Sequence, residues 1–509
     1  MQKILKLWEE KPLLLIFWIA FLMRIFSSVF SQGFLWEDIS EYIEIAKNTF
    51  NGFDKYNIFP HHQNIPVAGD RNLFVVLFHY LVFELISFIK ITDAKAILLF
   101  FKILYSLVSL VTVYYSYLFS KSLTEKKIAK YVSLVIAVFW LIPFLSSKTF
   151  SFTLSLPFLF SGLYFFSKFK KSLQSIHYLI AGISFGLSAA FNFSIIFFLL
   201  PFGLIFVFKN NLINSIHIIL GFIVSFFLTS GLTDFVIWGQ PFIFFFNYVI
   251  NTITIFNFNN NQLSTSFLYL ILSSFGIFLI FIIVGIYNSF RQYYIYIIPL
   301  LLYFLFLNFP AKDINYNSLL LTPLFVVFGI IGFWKFIEKS NSIFLKKSLK
   351  WIYISGIVLN FSLFIFFSTT YYNKAFSEAC YYIGNNIDNE DNILIISNYT
   401  NDYPDFFYNK KINKYLYVSE TENQNLKYSS EKINNNTRLI YSLQYFNDIK
   451  IDVKYIIIIG NEMNKENFDL IKKYFPLSVL DKDFKSKYID KILNNSAKYK
   501  PEIYVYLNE

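Results

Sequence analysis

The chain has 509 residues, 56% of them hydrophobic, 22% aromatic and only 15% charged, with a formal net charge of +11 and a mean hydropathy of +0.49. Soluble domains carry about 25% charged residues, so a chain soluble throughout is excluded; the apolar excess ends near residue 372 and a polar part rich in Asn, Lys and Asp follows. Surplus lysine in such a chain reports membrane topology before nucleic-acid binding, and the single cysteine, Cys380, excludes an intramolecular disulfide and a cysteine metal site.

Residues 12–30 are the first apolar run; they hold Arg24 and no small-residue cleavage site follows, so they read as a retained helix and not a cleaved signal. A spanning helix needs ~20 apolar residues, with ~17–25 allowed. Further candidates lie near 96–118, 130–145, 149–168, 177–191, 193–208, 214–230, 266–287, 293–309, 318–337 and 350–371, which makes about eleven crossings. The segment 71–90 is apolar but carries Arg71, His79 and Glu84. Leaving it in the interface puts Lys121, Lys126, Lys127, Lys130, Lys168, Lys209, Arg291, Lys335, Lys346 and Lys347 on one side, with the N-terminal lysines; the positive-inside rule makes that side the cytoplasm.

This topology puts a long loop, about 31–95, outside the cytoplasm together with Asp234, Asp313 and everything after residue 371. The expected organisation is a membrane domain, 1–371, followed by an extracytoplasmic domain, 372–509. In the latter, 374–388 and 464–475 read as helices, and 392–397, 454–460 and 502–507 as strands. Short apolar runs of this kind suit strands buried on both faces, hence a small soluble α/β domain.

The outer loop opens on Trp36-Glu37-Asp38-Ile39-Ser40-Glu41-Tyr42-Ile43-Glu44. At helical spacing Ile39, Tyr42, Ile43, Ala46 and Phe50 share one face and Glu37, Glu41 and Glu44 the other, the pattern of an amphipathic helix on the membrane surface. A carboxylate there can take a proton from an acceptor hydroxyl; Glu41 and Glu44 read first as a solvated face and second as functional. His61 and His62 lack the spacing of a metal motif and read as a chance pair or a phosphate contact. Arg71, at the start of an apolar segment, suits either a lipid phosphate or an interfacial anchor. Arg24 and Lys102, charges within apolar runs, are either functional or snorkel from helix ends.

These residues resemble glycosyltransferase family 22 of the GT-C superfamily, enzymes that use dolichyl-phosphate-mannose in building GPI anchors and N-glycans. Glu37-Asp38, Glu41, Glu44, Ala46 and Arg71-Asn72 follow the order of that family's first outer loop, and Arg24 matches an arginine of its first helix. Asp234, Trp238-Gly239, Pro241 and Phe245-Phe246-Asn247-Tyr248 follow its second outer motif. Ala311-Lys312-Asp313-Ile314-Asn315-Tyr316 follows a third, His-Lys-Glu-x-Arg-Phe. The acidic pair is reversed, Glu41 stands where the family has Gln, and Asn315 where it has Arg. The likeness covers most of 20–320 and leaves the tail outside it.

The resemblance implies an all-α polytopic bundle of GT-C type and an inverting transfer of a hexose, mannose by default. The donor is a polyprenyl- or dolichyl-phosphate sugar, acting as co-substrate without cofactor or metal, and the acceptor is a glycan or glycolipid. Glu37 or Asp38 is then the general base. Arg71 and Lys312, with His61 or His62, face the donor phosphate, and Asp234, Glu41, Glu44, Asn247, Tyr248 and Asp313 hold substrate. The setting is a lipid bilayer: the bacterial cytoplasmic membrane, or the endoplasmic reticulum in a eukaryote. The rival readings are a lipid-linked glycan flippase or polymerase, which needs more charge in mid-helix, and a non-catalytic assembly factor.

Overall fold

The fold comes from a computed structural model, which describes residues 2–31, 61–62, 65–66, 72–91, 94–168, 175–209, 212–257, 278–308 and 316–370, and eight strands between 392 and 508. The chain divides into two compact units, one made of 1–31, 69–75 and 100–370, the other of 32–68, 76–99 and 371–509.

The first unit is helical. Its described helices begin with α1 (Gln2–Glu10) and α2 (Pro12–Phe30). After α3 (Leu73–Phe88) and α4 (Ala94–Leu123), both shared with the second unit, come α5 (Lys126–Val138), α6 (Leu141–Ser146), α7 (Ser151–Lys168), α8 (Ser175–Phe191) and α9 (Ile196–Lys209). The series closes with α10 (Leu212–Phe226), α11 (Leu232–Trp238), α12 (Ile243–Asn257), α13 (Phe278–Asn308), α14 (Thr322–Lys339) and α15 (Ile343–Thr369). Among the described residues six helices are long and apolar enough to cross a membrane: Pro12–Phe30, Lys95–Leu123, Asn214–Trp238, Phe278–Leu307, Leu319–Lys339 and Ile343–Thr369. Leu73–Phe88, Ser175–Phe191, Phe193–Phe208 and Ile243–Thr252 are shorter apolar helices.

Three features depart from the sequence reading. The run expected at 130–145 is broken: α5 stops at Val138, Phe139 is extended, and α6 restarts two residues on. Pro143 has no N–H to offer the carbonyl of Phe139 and its ring would collide with it. The segment 243–257, left without structure by the sequence reading, is helix α12. Of the crossings expected at 266–287 and 293–309, residues 266–277 and 309 lie outside the described residues and the rest fall on one helical run, α13, whose backbone leaves the helical region at Tyr293 (φ −121°, ψ 23°). The Tyr293 hydroxyl donates to the carbonyl of Leu123, before α5, whereas the Phe278 ring packs on Phe139, after it. Tyr303 meets Ser194, which joins Ser151 through Asn192 at that same far end. Both ends of α13 therefore lie toward the Phe139 end of the bundle, and the run bends at Tyr293.

The unit so has two distinct ends. At one, Trp8 lies under Lys130, Lys127 pairs with Glu338 at 3.6 Å, Tyr131 stacks on Trp334, and Lys335 donates to the Tyr293 hydroxyl at 2.9 Å. Ser31, Ser147, Asn192 and Ser194 gather toward the other. Apolar solvation in lipid gives helices no hydrophobic reason to associate, so close approach through small residues takes over. A Cβ on Gly285 would sit 1.7 Å from the carbonyl oxygen of Gly329, and one on Gly332 1.8 Å from that of Gly285.

In the second unit β1 (His61–His62) pairs with β2 (Ile65–Pro66). The other eight strands make one sheet: β3 (Asn392–Ile396), β4 (Asn413–Tyr417), β5 (Ser430–Asn434), β6 (Thr437–Ile440), β7 (Tyr455–Ile459), β8 (Leu477–Ser478), β9 (Phe484–Lys485) and β10 (Glu502–Asn508). Their order is β5-β6-β4-β3-β7-β10-β8, with β9 also on β10. The centre is parallel, β6, β4, β3 and β7, and the flanks are antiparallel. The Ile-rich runs of β3 and β7 occupy the centre, as continuous apolar strands of parallel sheets do. The helices expected at 374–388 and 464–475 lie outside the described residues.

Replacing Gly285 by Leu will separate α13 from α14. Overpacking alone costs about 1–3 kcal/mol, so the variant should melt markedly earlier in detergent, followed by size-exclusion recovery after heating. Gly203→Ala, where a Cβ meets nothing within 4 Å, should melt like the parent. Equal melting of Gly285→Leu and parent would refute the close helix contact.

Candidate functional site

Two buried polar features lie in the helical unit. The first is built by the helix that carries Asp234. After Phe226, α10 widens into a π-turn, Phe227–Gly231, and continues as α11. Such bulges inside α-helices concentrate at functional sites. The inserted residue turns the face of α11 so that Asp234 enters the interior with no exposed surface. The chain then reverses. Gly239 takes a left-handed conformation (φ 76°), and its N–H closes on the Phe235 carbonyl at 2.8 Å, a common helix stop. Phe242 also has positive φ, 63°. A large non-glycine residue holds that conformation only where its surroundings over-determine it. Here the ring stacks on Phe226, 5.3 Å between centroids.

The reversal brings the first turn of α12 to Asp234. The N–H of Phe244 donates to Asp234 Oδ2 at 3.3 Å. That N–H is among the first four of a helix, which have no partner within it. Asp234 Oδ1 is buried and has no hydrogen-bond partner among the described residues. Asn247 and Tyr248 follow Phe244 by three and four positions, so they lie one turn along α12 on the side of Phe244. Both are half-buried, and the Tyr248 ring lies 5.8 Å from that of Phe193. The structure thus groups three of the sequence-derived residues, Asp234, Asn247 and Tyr248, at one helix reversal.

The second feature is a seam between α2, α4 and the α5–α6 break. Arg24 is 1% exposed. Its Nε donates to Ser109 Oγ at 2.6 Å and its Nη1 to the carbonyls of Ala20 and Ala137, at 3.2 and 3.5 Å. Its Nη2 has no partner among the described residues. Ser28 joins Ser106 at 2.7 Å, and Ser27 joins Ser147 at 2.8 Å. Lys102 Nζ donates to the carbonyl of Ser31, the residue that ends α2, at 2.7 Å. Lys148 is also buried. Ser109 and Ser146 open on a cavity of about 20 Å³ whose other polar linings are Thr112, Thr153 and Thr322. Snorkelling therefore fails for Arg24 and Lys102: both heads are turned inward and bonded, not stretched to the interface. Lys148 and the serines were missed by the sequence reading, although Ser27-Ser28, the spacing of Ser106 and Ser109, and Ser146-Ser147-Lys148 were visible signals.

Glu37, Asp38, Glu41, Glu44, Arg71, Lys312 and Asp313 lie outside the described residues, and of His61 and His62 only the short strand β1 is described. Among the described residues no group of three or more His, Cys, Asp or Glu is placed to hold a metal ion.

Asp234→Ala removes the carboxylate from the Phe244 N–H, and leaving a buried donor without its acceptor costs about 1–3 kcal/mol. The variant should melt earlier in detergent than Asp234→Asn, whose side-chain carbonyl can still accept. Equal melting of the two would show that the bond carries no weight.

Comparison with known proteins adds the following. The family model described as the Alg9-like mannosyltransferase family matches residues 15–398. No curated protein matches the chain. ArnT from Cupriavidus metallidurans bound to undecaprenyl phosphate is similar in structure, with a TM-score of 0.66 at 10% identity, over 97% of this chain and 98% of that one. The Archaeoglobus fulgidus oligosaccharyltransferase tethered with an acceptor peptide has a TM-score of 0.58 at 13% identity, over 89% of this chain and 70% of that one. The Archaeoglobus fulgidus oligosaccharyltransferase AglB in complex with an inhibitory peptide and a dolichol-phosphate has a TM-score of 0.53 at 12% identity, with the same coverage. At such identities the likeness is one of fold.

Proposed function

The chain belongs to the Alg9-like mannosyltransferase family, is a multi-pass membrane glycosyltransferase of the GT-C type, and from that premise we propose that it moves a hexose, mannose by default, from a polyprenyl-phosphate sugar to a glycan or glycolipid on the extracytoplasmic face. The observation that carries this reading is the extent of the family match. It runs from the first spanning helix through the acidic loop, the Asp234 reversal and the loop holding Lys312. A lipid donor is supported by two proteins of like fold, one bound to undecaprenyl phosphate and one to a dolichol-phosphate.

In this proposal Glu37 or Asp38 takes the proton of the acceptor hydroxyl. The oxygen bonds to the anomeric carbon as the bond from that carbon to the phosphate oxygen breaks, and the lipid monophosphate leaves with inversion. Arg71 and Lys312, with His61 or His62, offset the charge on the departing phosphate. Asp234, Asn247, Tyr248, Glu41, Glu44 and Asp313 hold sugar hydroxyls. The free oxygen of Asp234 is the described group that supports this role, because a buried acceptor without a partner is complete only when a donor arrives. The lysine-rich end of the bundle faces the cytoplasm and the Asp234 end faces outward. Residues 1–371 form the catalytic membrane domain with about eleven crossings, and 372–509 a soluble extracytoplasmic α/β domain. The membrane is the bacterial cytoplasmic membrane, or the endoplasmic reticulum in a eukaryote.

Glu37→Gln combined with Asp38→Asn should cut transfer of labelled sugar from polyprenyl phosphate to an extracted membrane acceptor by ~10²–10⁴-fold, the usual weight of a general base, with the protein still inserted. Unchanged product from that double variant removes the assignment. Transfer should also survive a strong chelator at the parent rate, since the proposed charge compensation comes from side chains. Strict loss of product in chelator, restored by a divalent cation, would move the reading toward a metal-dependent transferase.

A further inference from the structure

We propose that helix α15 binds an anionic phospholipid at the lysine-rich end of the bundle. The helix has two faces. Tyr353, Gly356, Asn360 and Phe364 are buried against the rest of the unit, where Tyr353 donates to the Tyr131 carbonyl and the Asn360 side chain accepts from the Trp140 N–H. On the opposite face Phe344, Trp351, Ile354, Val358, Phe361 and Ile365 form a continuous exposed stripe. Their spacing of three, four and seven keeps them on one side of an α-helix.

Lys347 and Lys350 are exposed and fall on this same stripe, between Phe344 and Ile354. Apolar surface of this extent on a membrane helix faces acyl chains. The stripe stops being purely apolar one turn inside the helix start, and there two ammonium groups replace methyls and rings. Phe344 and Trp351, 80% and 70% exposed, flank them as interfacial aromatics do. An acyl chain lying along Ile354, Val358, Phe361 and Ile365 thus carries its headgroup phosphate to Lys347 and Lys350.

Charge complementarity selects the headgroup. The helix from Ile343 to Thr369 contains no Asp or Glu. At this end of the bundle Glu338 pairs with Lys127, and Glu10 with Lys6. Lys346, half-buried on the Tyr353 side of the same helix, adds a third positive charge to its first turns. A zwitterionic headgroup brings its own cation to this cluster, whereas an anionic one does not. This site is separate from the proposed transfer chemistry, which lies at the other end of the unit, so its test stands apart from that of the reaction.

The full chain, purified in mild detergent with an equal mixture of phosphatidylglycerol and phosphatidylcholine, is examined by native mass spectrometry for retained lipid. The parent should keep phosphatidylglycerol in preference. Each lysine near a charged surface is worth ~1 kcal/mol, so Lys347→Gln with Lys350→Gln should lower the preference roughly 30-fold. Lys347→Arg with Lys350→Arg should keep it, and so should Lys168→Gln, a control away from α15. Size-exclusion profiles establish that each variant is folded. Equal retention of the two lipids by the parent, or parental preference in the double Gln variant, overturns the proposal; so does loss of preference in Lys168→Gln equal to that of the pair, which would reduce the effect to net charge.

Discussion

Cations inside an apolar bundle must be supplied with oxygen by the protein, because taking an ion out of water costs several kcal/mol even after relaxation. Arg24 satisfies this through Ser109 and two main-chain carbonyls, and Lys102 through the carbonyl that ends α2. Much of the local architecture follows. The α5–α6 break exposes the Ala137 carbonyl to Arg24, since an intact helix would engage that oxygen in its own ladder. The serines of α2, α4 and the segment after α6 pair across helices, in a setting where lipid offers nothing else to bond. Lys102, at the C-terminal end of α2, also opposes the negative end of that helix's dipole. The seam therefore holds the C-terminal end of α2.

The Asp234 reversal answers to the same constraint by different means. A π-turn and a phenylalanine of positive φ are each unfavourable in isolation, whereas Gly239 takes the left-handed turn without steric cost. Together they turn the chain through a helix reversal and give one carboxylate oxygen to the Phe244 N–H. Phe242 stacked on Phe226, with Phe245 edge-on to Phe226, supplies the packing that holds the strained backbone. One oxygen fixes the turn, and the other has no partner among the described residues.

Charge separates the two ends of the bundle. Lysines crowd one end, where aromatic rings and a few acids temper them; Asp234, Asn247 and Tyr248 sit on the two helices of the reversal toward the other. The cations buried within the bundle, Arg24, Lys102 and Lys148, are set apart from those lysines by their burial. Lys347 and Lys350 of α15 stand exposed at the lysine-rich end.

Hydropathy made the membrane bundle legible, because a bilayer demands apolar runs of fixed length whatever their packing. The Ile-rich runs at 392–397 and 454–460 likewise became central strands β3 and β7, since a parallel strand buried on both faces leaves no polar alternation to obscure it. The residues Asp234, Asn247 and Tyr248 were named from their motif, but their grouping was not legible: it depends on a π-turn and two positive-φ residues, which leave no periodic mark in the sequence. Helix α12 was missed because Phe, Asn and Tyr in the run after Pro241 suit a loop as well as a helix. Arg24 was visible as a charge in an apolar run. Whether it pointed to water or to the interior depended on a serine 85 positions away in α4, Ser109, and on the break at Phe139. The sequence by itself determined the membrane character, the family and the candidate residues, because these depend on composition and local order. The tertiary structure alone decided which buried polar atoms find partners, because that is set by contacts between helices distant in the chain.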